Sequence, residues 1–118
     1  MVQNSNVIED EELRKFMIRC GAAEKDIKNS SVDICLLHDL HVVGDNVYEA
    51  FEWLHLKHGV DLSSLDVSMY FPSEVSRDAF LISFFPDTRW AQRAMARYPR
   101  LSLRMISEAM KQGRWPSL

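Results

Sequence analysis

The sequence predicts an all-α fold in a single domain that covers residues 1–118. Three observations lead to this class. Apolar residues recur at the i, i+3, i+4, i+7 spacing of amphipathic helices, and most of these segments end at glycine or proline. Only residues 79–85 have the apolar character of a strand, and one strand cannot form a sheet. The chain is also long enough to bury a modest core without disulfides or metals.

The first predicted helix runs from Val7 to Cys20. Asn6 can cap it, and Glu9 three residues later completes a capping box. Gly21 suits the left-handed residue that follows a helix end. Residues 22–45 are predicted to form a long loop. The predicted core positions of this helix are Leu13, Phe16, Met17 and Cys20.

The second predicted helix covers Val47 to His58 and ends at Gly59. Asn46 is predicted to be its N-cap, with Glu49 three residues later, so that two backbone amides gain side-chain partners. An advance of 100° per residue separates an inner arc from an outer face. The inner arc consists of Val47, Ala50, Phe51, Leu54 and His58. The outer face consists of Glu49, Glu52, Trp53 and Leu56, so two carboxylates flank two large apolar groups.

The second half of the chain contains further helix signals. A brief helix is predicted to be capped by Ser63 and ended by Pro72. Residues 79–85 are expected to form a strand or a buried extended segment. A helix capped by Asp87 follows and extends to about Arg97. The last helix is the best marked, because Ser102 can cap it and a glycine, Gly113, follows its final turn.

Composition predicts a cytoplasmic protein without a membrane partner. The start of the chain is polar and acidic, unlike a signal peptide, and the apolar run at residues 79–85 is far too short to span a bilayer. Cys20 and Cys35 have neither metal-ligand spacing nor a CxxC arrangement. They are therefore predicted to be reduced core residues.

Charge is unevenly distributed along the chain. Residues 1–66 carry 13 acidic and 6 basic side chains, whereas residues 67–118 carry 4 acidic and 8 basic, of which seven are arginine. The simplest explanation is charge pairing between the two halves. An arginine-mediated nucleic-acid binder is an alternative, but the arginines lack the density and aromatic interleaving typical of such surfaces. No nucleic-acid partner is therefore predicted.

No catalytic constellation stands out, so the protein is predicted not to be an enzyme. The sequence has no GxSxG motif and no glycine-rich phosphate loop. Its four histidines form two HxxH pairs, His38/His41 and His55/His58. The helical residues between the pairs, at 1.5 Å each, would hold them roughly 20 Å apart. The pairs therefore do not share one site, and no metal is predicted.

Several motifs resemble the layout of acyl carrier proteins. An acidic loop leads into the second helix, a short helix ends near YFPSE, and the last helix is closed by GRWP. More narrowly, the segments at 44–46, 58–74 and 101–116 resemble a small enterobacterial family of uncharacterised acyl-carrier-like proteins. The resemblance implies an acyl-carrier-like four-helix bundle in which residues 75–98 are an insertion before the last helix.

The resemblance also identifies the residue on which carrier chemistry depends. Carriers attach phosphopantetheine to a serine at the start of the second helix, and here Asn46 stands at that position. An amide side chain cannot form the phosphodiester, so no cofactor is predicted. The alternative is an active carrier modified at Ser64. Pro72 would cut short the helix after that serine, and Ser63 and Ser64 are predicted to cap a short helix instead.

Together these observations predict a non-catalytic acyl-carrier-like protein that acts as an interaction or regulatory module. Carboxylates around large apolar residues are typical of a docking surface. The alternative is that residues 75–98 fold over this face and that their arginines pair with its glutamates. The candidate partner-binding residues are Asp45, Glu49, Glu52, Trp53 and Leu56.

Overall fold

The computed structural model describes residues 11–29 and 31–115, and their regular secondary structure is α-helical. Within these ranges there are two isolated β-bridges but no strand, and no helix is long and apolar enough to cross a membrane. The predicted all-α class is confirmed, whereas the acyl-carrier-like four-helix arrangement stays a prediction. The helices are α1 (Glu11–Arg19), α2 (Glu24–Lys28), α3 (Asp45–His58), α4 (Val67–Tyr70), α5 (Arg77–Phe84), α6 (Arg89–Ala96) and α7 (Leu103–Gln112).

The core is built around the contact between α1 and α3. Phe16 and Phe51 meet edge to face with their ring centroids 5.3 Å apart. Phe51 also contacts Trp115 at 6.0 Å, and Trp115 contacts Tyr70 at 6.4 Å. Four rings thus connect α1, α3, α4 and the segment after α7, and such pairs add about 0.5–1.5 kcal/mol each beyond their burial. The predicted inward positions of α1 and α3 are buried except His58, which is half-buried.

Residues 75–98 contain a helical hairpin, α5 and α6, and each helix has a hydroxyl N-cap. Oγ of Ser76 accepts a hydrogen bond of 3.1 Å from the amide of Ala79. Oγ1 of Thr88 likewise accepts one of 3.2 Å from the amide three residues later. A cap of this kind is worth about 1 kcal/mol. The predicted cap at Asp87 is therefore wrong by one residue.

The predicted strand or extended segment at residues 79–85 is also wrong, because most of this stretch lies in α5. Ala79 and Ile82 are buried and lie three residues apart on one side of the helix. Phe80 and Phe84 point away from the core and are largely exposed. The apolar run therefore belongs to a helix whose outer side is apolar as well, which hides the helical period in the sequence.

The connection between α2 and α3 is tied to the start of α7. The amide of Leu103 donates to the carbonyl of Ile34 at 3.0 Å, and the amide of Arg104 donates to the carbonyl of Val32 at 2.7 Å. These bonds satisfy backbone amides that otherwise need a cap. Ser102 occupies the predicted N-cap position, but its side chain makes no cap hydrogen bond.

Two further predictions about the loops differ from the structure. The segment 22–45 contains a five-residue helix, α2, and is not a continuous loop. The brief helix α4 is capped by Asp66, whose Oδ1 accepts from the amide two residues later at 3.1 Å, and not by Ser63. The predicted cap at Asn6 lies outside the described residues.

The predicted ends of the two longest helices are confirmed. Gly59 follows α3 with a φ of 66°, and Gly113 follows α7 with a φ of 76°. Both lie in the left-handed region that glycine enters without the steric cost of a side chain. The amide of each donates to the carbonyl four residues earlier, and this closes the last helical turn.

The two cysteines are free and buried, as the sequence predicts. Burial raises the pKa of the Cys20 thiol far above its ordinary value. It also raises the pKa of Cys35, although the nearby Arg100 guanidinium acts in the opposite direction. Since the thiolate is the reactive form, the raised pKa of each thiol disfavours a nucleophilic role.

Candidate docking face

The outer face of α3, defined as Glu49, Glu52, Trp53 and Leu56, borders a groove of about 420 Å³. Leu56 is 73% exposed, and Trp53 is half-buried beside it. Four of the five predicted partner-binding residues therefore lie together, and Asp45 does not line this groove. The lining residues are Arg19, Glu49, Glu52, Trp53, Leu56 and Lys57.

Trp53 is held between α1 and the end of α3. Cζ of Arg19 lies 5.3 Å from the centroid of the Trp53 ring, which is a cation–π distance. The ring of His58 meets the indole edge to face at 5.0 Å. Nε2 of His58 in turn lies 2.8 Å from Oε1 of Glu12. Lys15, 3.0 Å from Glu12, and then His58 lower the pKa of the Glu12 carboxyl.

Residues 75–98 do not line this groove, whose walls come from α1 and α3. Within the described ranges, no ion pair joins Glu49 or Glu52 to an arginine. Arg97 of the hairpin segment pairs instead with Asp78, at 2.7 Å. Residues 75–98 thus leave the outer face of α3 open, in contrast to the alternative in which they cover it.

The groove is lined by acidic and basic side chains. The charged residues that the sequence predicts for this face are all acidic. Arg19 and Lys57 face the same space as Glu49 and Glu52. Lys57 lies four residues after Trp53, so helical spacing alone could have placed it on this face. Arg19 belongs to a different helix, and nothing in the sequence brings the end of α1 to α3. The groove is therefore lined by charges of both signs.

Asp45 lies apart from the groove, at the first residue of α3, and faces Glu74. A separate cavity of about 490 Å³ is bordered by both carboxyls together with Tyr48 and Tyr98. A hydrogen bond to Asp45, reinforced by its negative charge, raises the pKa of Glu74 above its ordinary value of 4.5. The protonated carboxyl can donate this bond, while two neighbouring carboxylates repel each other. The structure therefore places the predicted site residues in two locations.

Replacing Glu74 with glutamine is expected to raise the midpoint of urea unfolding at pH 7. Because the pKa of Glu74 is higher in the folded protein, the native state binds more protons at this carboxyl than the unfolded state does. The contribution of Glu74 to the free energy of unfolding therefore falls as pH rises above 4.5. The gain in Glu74→Gln should disappear well below pH 4.5, where the carboxyl is protonated in both states. Glu108→Gln is the control, since Glu108 lies 3.8 Å from Lys111. A gain that did not change with pH would contradict this explanation.

Asn46 does not cap α3, so its predicted role is wrong. The helix begins one residue earlier, at Asp45, and the N-cap position is Gly44, which has no side chain. Asn46 instead lies against Gly21, where an added Cβ would be 2.9 Å from Nδ2 of Asn46. The residue at the expected attachment position is thus packed against the end of α1.

Ser64, the alternative attachment site, lies exposed in a turn. The helix that follows it, α4, contains only the four residues Val67–Tyr70. This length agrees with the sequence argument from Pro72. A carrier serine of the kind that the resemblance implies would need a long recognition helix immediately after it, and none begins here.

Two of the histidines contact backbone carbonyl oxygens. Nε2 of His38 lies 2.8 Å from the carbonyl oxygen of Met95, and Nδ1 of His55 lies 2.8 Å from that of Val60. A ring N–H can donate to the carbonyl in each case. In the part of the chain that the structure describes, no three histidine, cysteine, aspartate or glutamate residues are placed to hold a metal ion.

The described residues thus define a small helical protein with an open, charged groove beside its longest helix. The model of a protein family, described as a protein of unknown function (DUF1493), matches residues 9–116. The chain therefore belongs to this family. No curated protein and no solved structure matches the sequence.

Proposed function

We propose that this protein is a non-catalytic interaction or regulatory module of the cytoplasm that binds a protein partner through the outer face of α3. The observation that carries the proposal is the exposed side chain of Leu56 next to a tryptophan that α1 already holds in place. A positioned aromatic ring beside apolar and charged groups is a common composition of interface hot spots. Full burial of Leu56 by a partner would contribute about 1.5–3 kcal/mol.

The proposal also holds that the bundle is acyl-carrier-like but carries no prosthetic group. Asn46 occupies the position of the attachment serine and contacts Gly21, and Ser64 is followed by a helix too short for carrier recognition. In this reading, the layout of a carrier is retained for docking, while the covalent chemistry is lost. The proposal therefore includes neither a catalytic residue nor a cofactor.

Incubation with coenzyme A and a promiscuous phosphopantetheinyl transferase is expected to leave the mass of this protein unchanged. Attachment would add roughly 340 Da, the mass of the phosphopantetheine group, as a covalent modification. Intact mass spectrometry measures this directly, with an established acyl carrier in the same reaction as the positive control. A gain of that size that Ser64→Ala abolishes would show an active carrier and contradict the proposal.

Leu56→Lys is expected to weaken partner binding by at least about tenfold, because it puts a charge in the centre of the apolar contact. A photo-reactive amino acid at position 56 first captures the partner in cells, and mass spectrometry identifies it. Calorimetry with the purified partner then measures the affinity of the wild type and of the variant.

Ile18→Lys is the matched control for this experiment. Ile18 is an aliphatic residue on a helix surface, 62% exposed, and it does not line the α3 groove. The proposal requires that Leu56→Lys and Trp53→Ala weaken binding while Ile18→Lys does not. Equal losses in all three variants, or in none, would show that the partner binds elsewhere.

A further inference from the structure

The α5–α6 hairpin carries four exposed aromatic rings. Phe80 packs against Phe84 and Phe85 with ring centroids 5.2 and 5.9 Å apart. These three residues are between 50% and 69% exposed to solvent, and Trp90 on α6 is similarly exposed. Exposed apolar surface on this scale, concentrated in one place, marks an interaction site more often than scattered single residues do.

Trp90 also lines a groove between the two helices. The groove has a volume of about 240 Å³, and its lining residues are Arg77, Asp78, Leu81, Trp90, Arg93 and Arg97. On α5 the spacing Arg77, Phe80, Leu81, Phe84 follows the i, i+3, i+4, i+7 pattern of one helix face. The groove and the phenylalanine cluster therefore form one surface, the hairpin face, made of Arg77, Phe80, Leu81, Phe84, Trp90 and Arg93.

The arginines around this surface differ in whether they have a partner. Arg97 is neutralised by Asp78, with which it forms a hydrogen bond of 2.7 Å. The guanidinium groups of Arg77, Arg89 and Arg93 form no hydrogen bond or ion pair with any residue in the described ranges. The hairpin face thus combines apolar rings with guanidinium groups whose charge the fold itself does not balance.

We propose that the hairpin face binds an acidic amphipathic helix of a partner protein. Such a helix would bury its apolar side chains on the phenylalanine cluster and Trp90 and would place its carboxylates on Arg77 and Arg93. This is the helix-in-groove mode, in which apolar anchors recur at helical spacing. Guanidinium–carboxylate pairs then set the orientation. The site is separate from the outer face of α3, and the proposal does not depend on the function proposed for that face.

An acidic amphipathic helix fits this surface better than nucleic acid or an anionic membrane, which are the other common ligands of arginine clusters. The formal net charge of −3 disfavours binding to a highly charged polyanion such as nucleic acid or an anionic membrane. Within the hairpin segment, Asp78 balances Arg97, and Asp87 adds a further negative charge. A partner with few carboxylates and a large apolar face meets the exposed rings without requiring a strongly basic surface.

Selection of a display library of helical peptides on the full chain tests the proposal. The enriched peptides are expected to carry apolar residues at i, i+3, i+4 and i+7 with flanking aspartate or glutamate. Their binding, measured by fluorescence anisotropy, should weaken at least about tenfold in Phe84→Ala and in Arg93→Glu. Both side chains are exposed, so the variants are expected to fold, and circular dichroism checks this. A peptide whose carboxylates are changed to lysine should bind Arg93→Glu better than the wild type.

Leu56→Ala is the control that distinguishes the hairpin face from the α3 groove, which Leu56 lines. This variant should bind the selected peptides with the affinity of the wild type. A thymidine oligonucleotide and phosphatidylglycerol vesicles are tested in parallel. Selection of basic peptides, failure to select any peptide, or binding that neither hairpin variant weakens would overturn the proposal. Binding of the oligonucleotide or the vesicles at the hairpin face, with no peptide binding there, would overturn it as well.

Discussion

Replacing Phe51 with alanine is expected to lower the free energy of unfolding by about 3–5 kcal/mol. Phe51 is 3% exposed and joins two ring contacts, one to Phe16 of α1 and one to Trp115 after α7. Its removal therefore leaves a cavity where α1, α3 and the end of the chain meet. Since domains of this size have total stabilities of about 5–15 kcal/mol, the variant should be near the limit of folding.

Urea unfolding followed by circular dichroism measures this loss, and α3 itself supplies the control. Leu56→Ala truncates a residue of similar apolar character five positions later, on the exposed side of the same helix. Its effect on stability should stay within about 0.5 kcal/mol. The two variants change helix propensity in the same direction, so the difference between them isolates burial. Similar losses in both would mean that the ring contacts do not hold the three elements together.

The inner positions of α1 and α3 could be predicted because burial imposes a period on the sequence. Leu13, Phe16 and Met17 on α1 lie in the core, and so do Val47 and Leu54 on α3. The side of α1 that faces away from the core is mostly polar, which is the condition under which a 3.6-residue period is most visible. Where that condition fails, the period does not reveal the helix.

α5 is the case in which it fails. Ala79 and Ile82 face the core, but Phe80 and Phe84 lie on the exposed side of the helix, so the segment is apolar at every position except Ser83. A short apolar run is equally compatible with a strand. The exposed rings of Phe80 and Phe84 hide the helical period of α5, and they also belong to the proposed hairpin face. The strand-like pattern of residues 79–85 and the proposed hairpin face therefore have one physical origin, the exposed phenylalanines of α5.

Helix caps were predicted less well because several residues near a helix start can accept the same hydrogen bond. Asp87 and Thr88 are adjacent, and the structure uses the second. At α7 the amides are satisfied by carbonyls of Ile34 and Val32, which lie about 70 residues away in the sequence. No local pattern contains that information, since it depends on how the long connection packs.

Some contacts of the candidate site can be predicted from helical spacing, and others depend on how distant segments pack. Trp53 and Leu56 share a face by helical spacing alone, and the sequence was sufficient to pair them. The position of Arg19 over the indole ring depends on the packing of α1 against α3. The contact between Asp45 and Glu74 depends on where the chain returns after α4. Contacts between distant segments are thus the part of a site that periodicity cannot supply.

Gly21→Ala is expected to destabilise the protein by about 1–2 kcal/mol, which is the cost of placing a residue with a side chain in a left-handed conformation. Gly21 has a φ of 88°, and its added Cβ would lie 2.9 Å from Nδ2 of Asn46. The amide of Asn46 would have to turn away, so a steric contribution adds to the conformational one. Urea unfolding of the single and double variants measures both parts.

The steric part should disappear when Asn46 is also replaced by alanine. In the Asn46→Ala background, Gly21→Ala is therefore expected to cost less by about 0.5 kcal/mol, a coupling typical of residues in contact. Gly59→Ala is the control, because Gly59 has a φ of 66° and no atom within 4 Å of an added Cβ. Its cost should be the same with and without Asn46. If Gly21→Ala also behaved in this way, Asn46 would not pack against the end of α1, and its position would again be open to a role in binding.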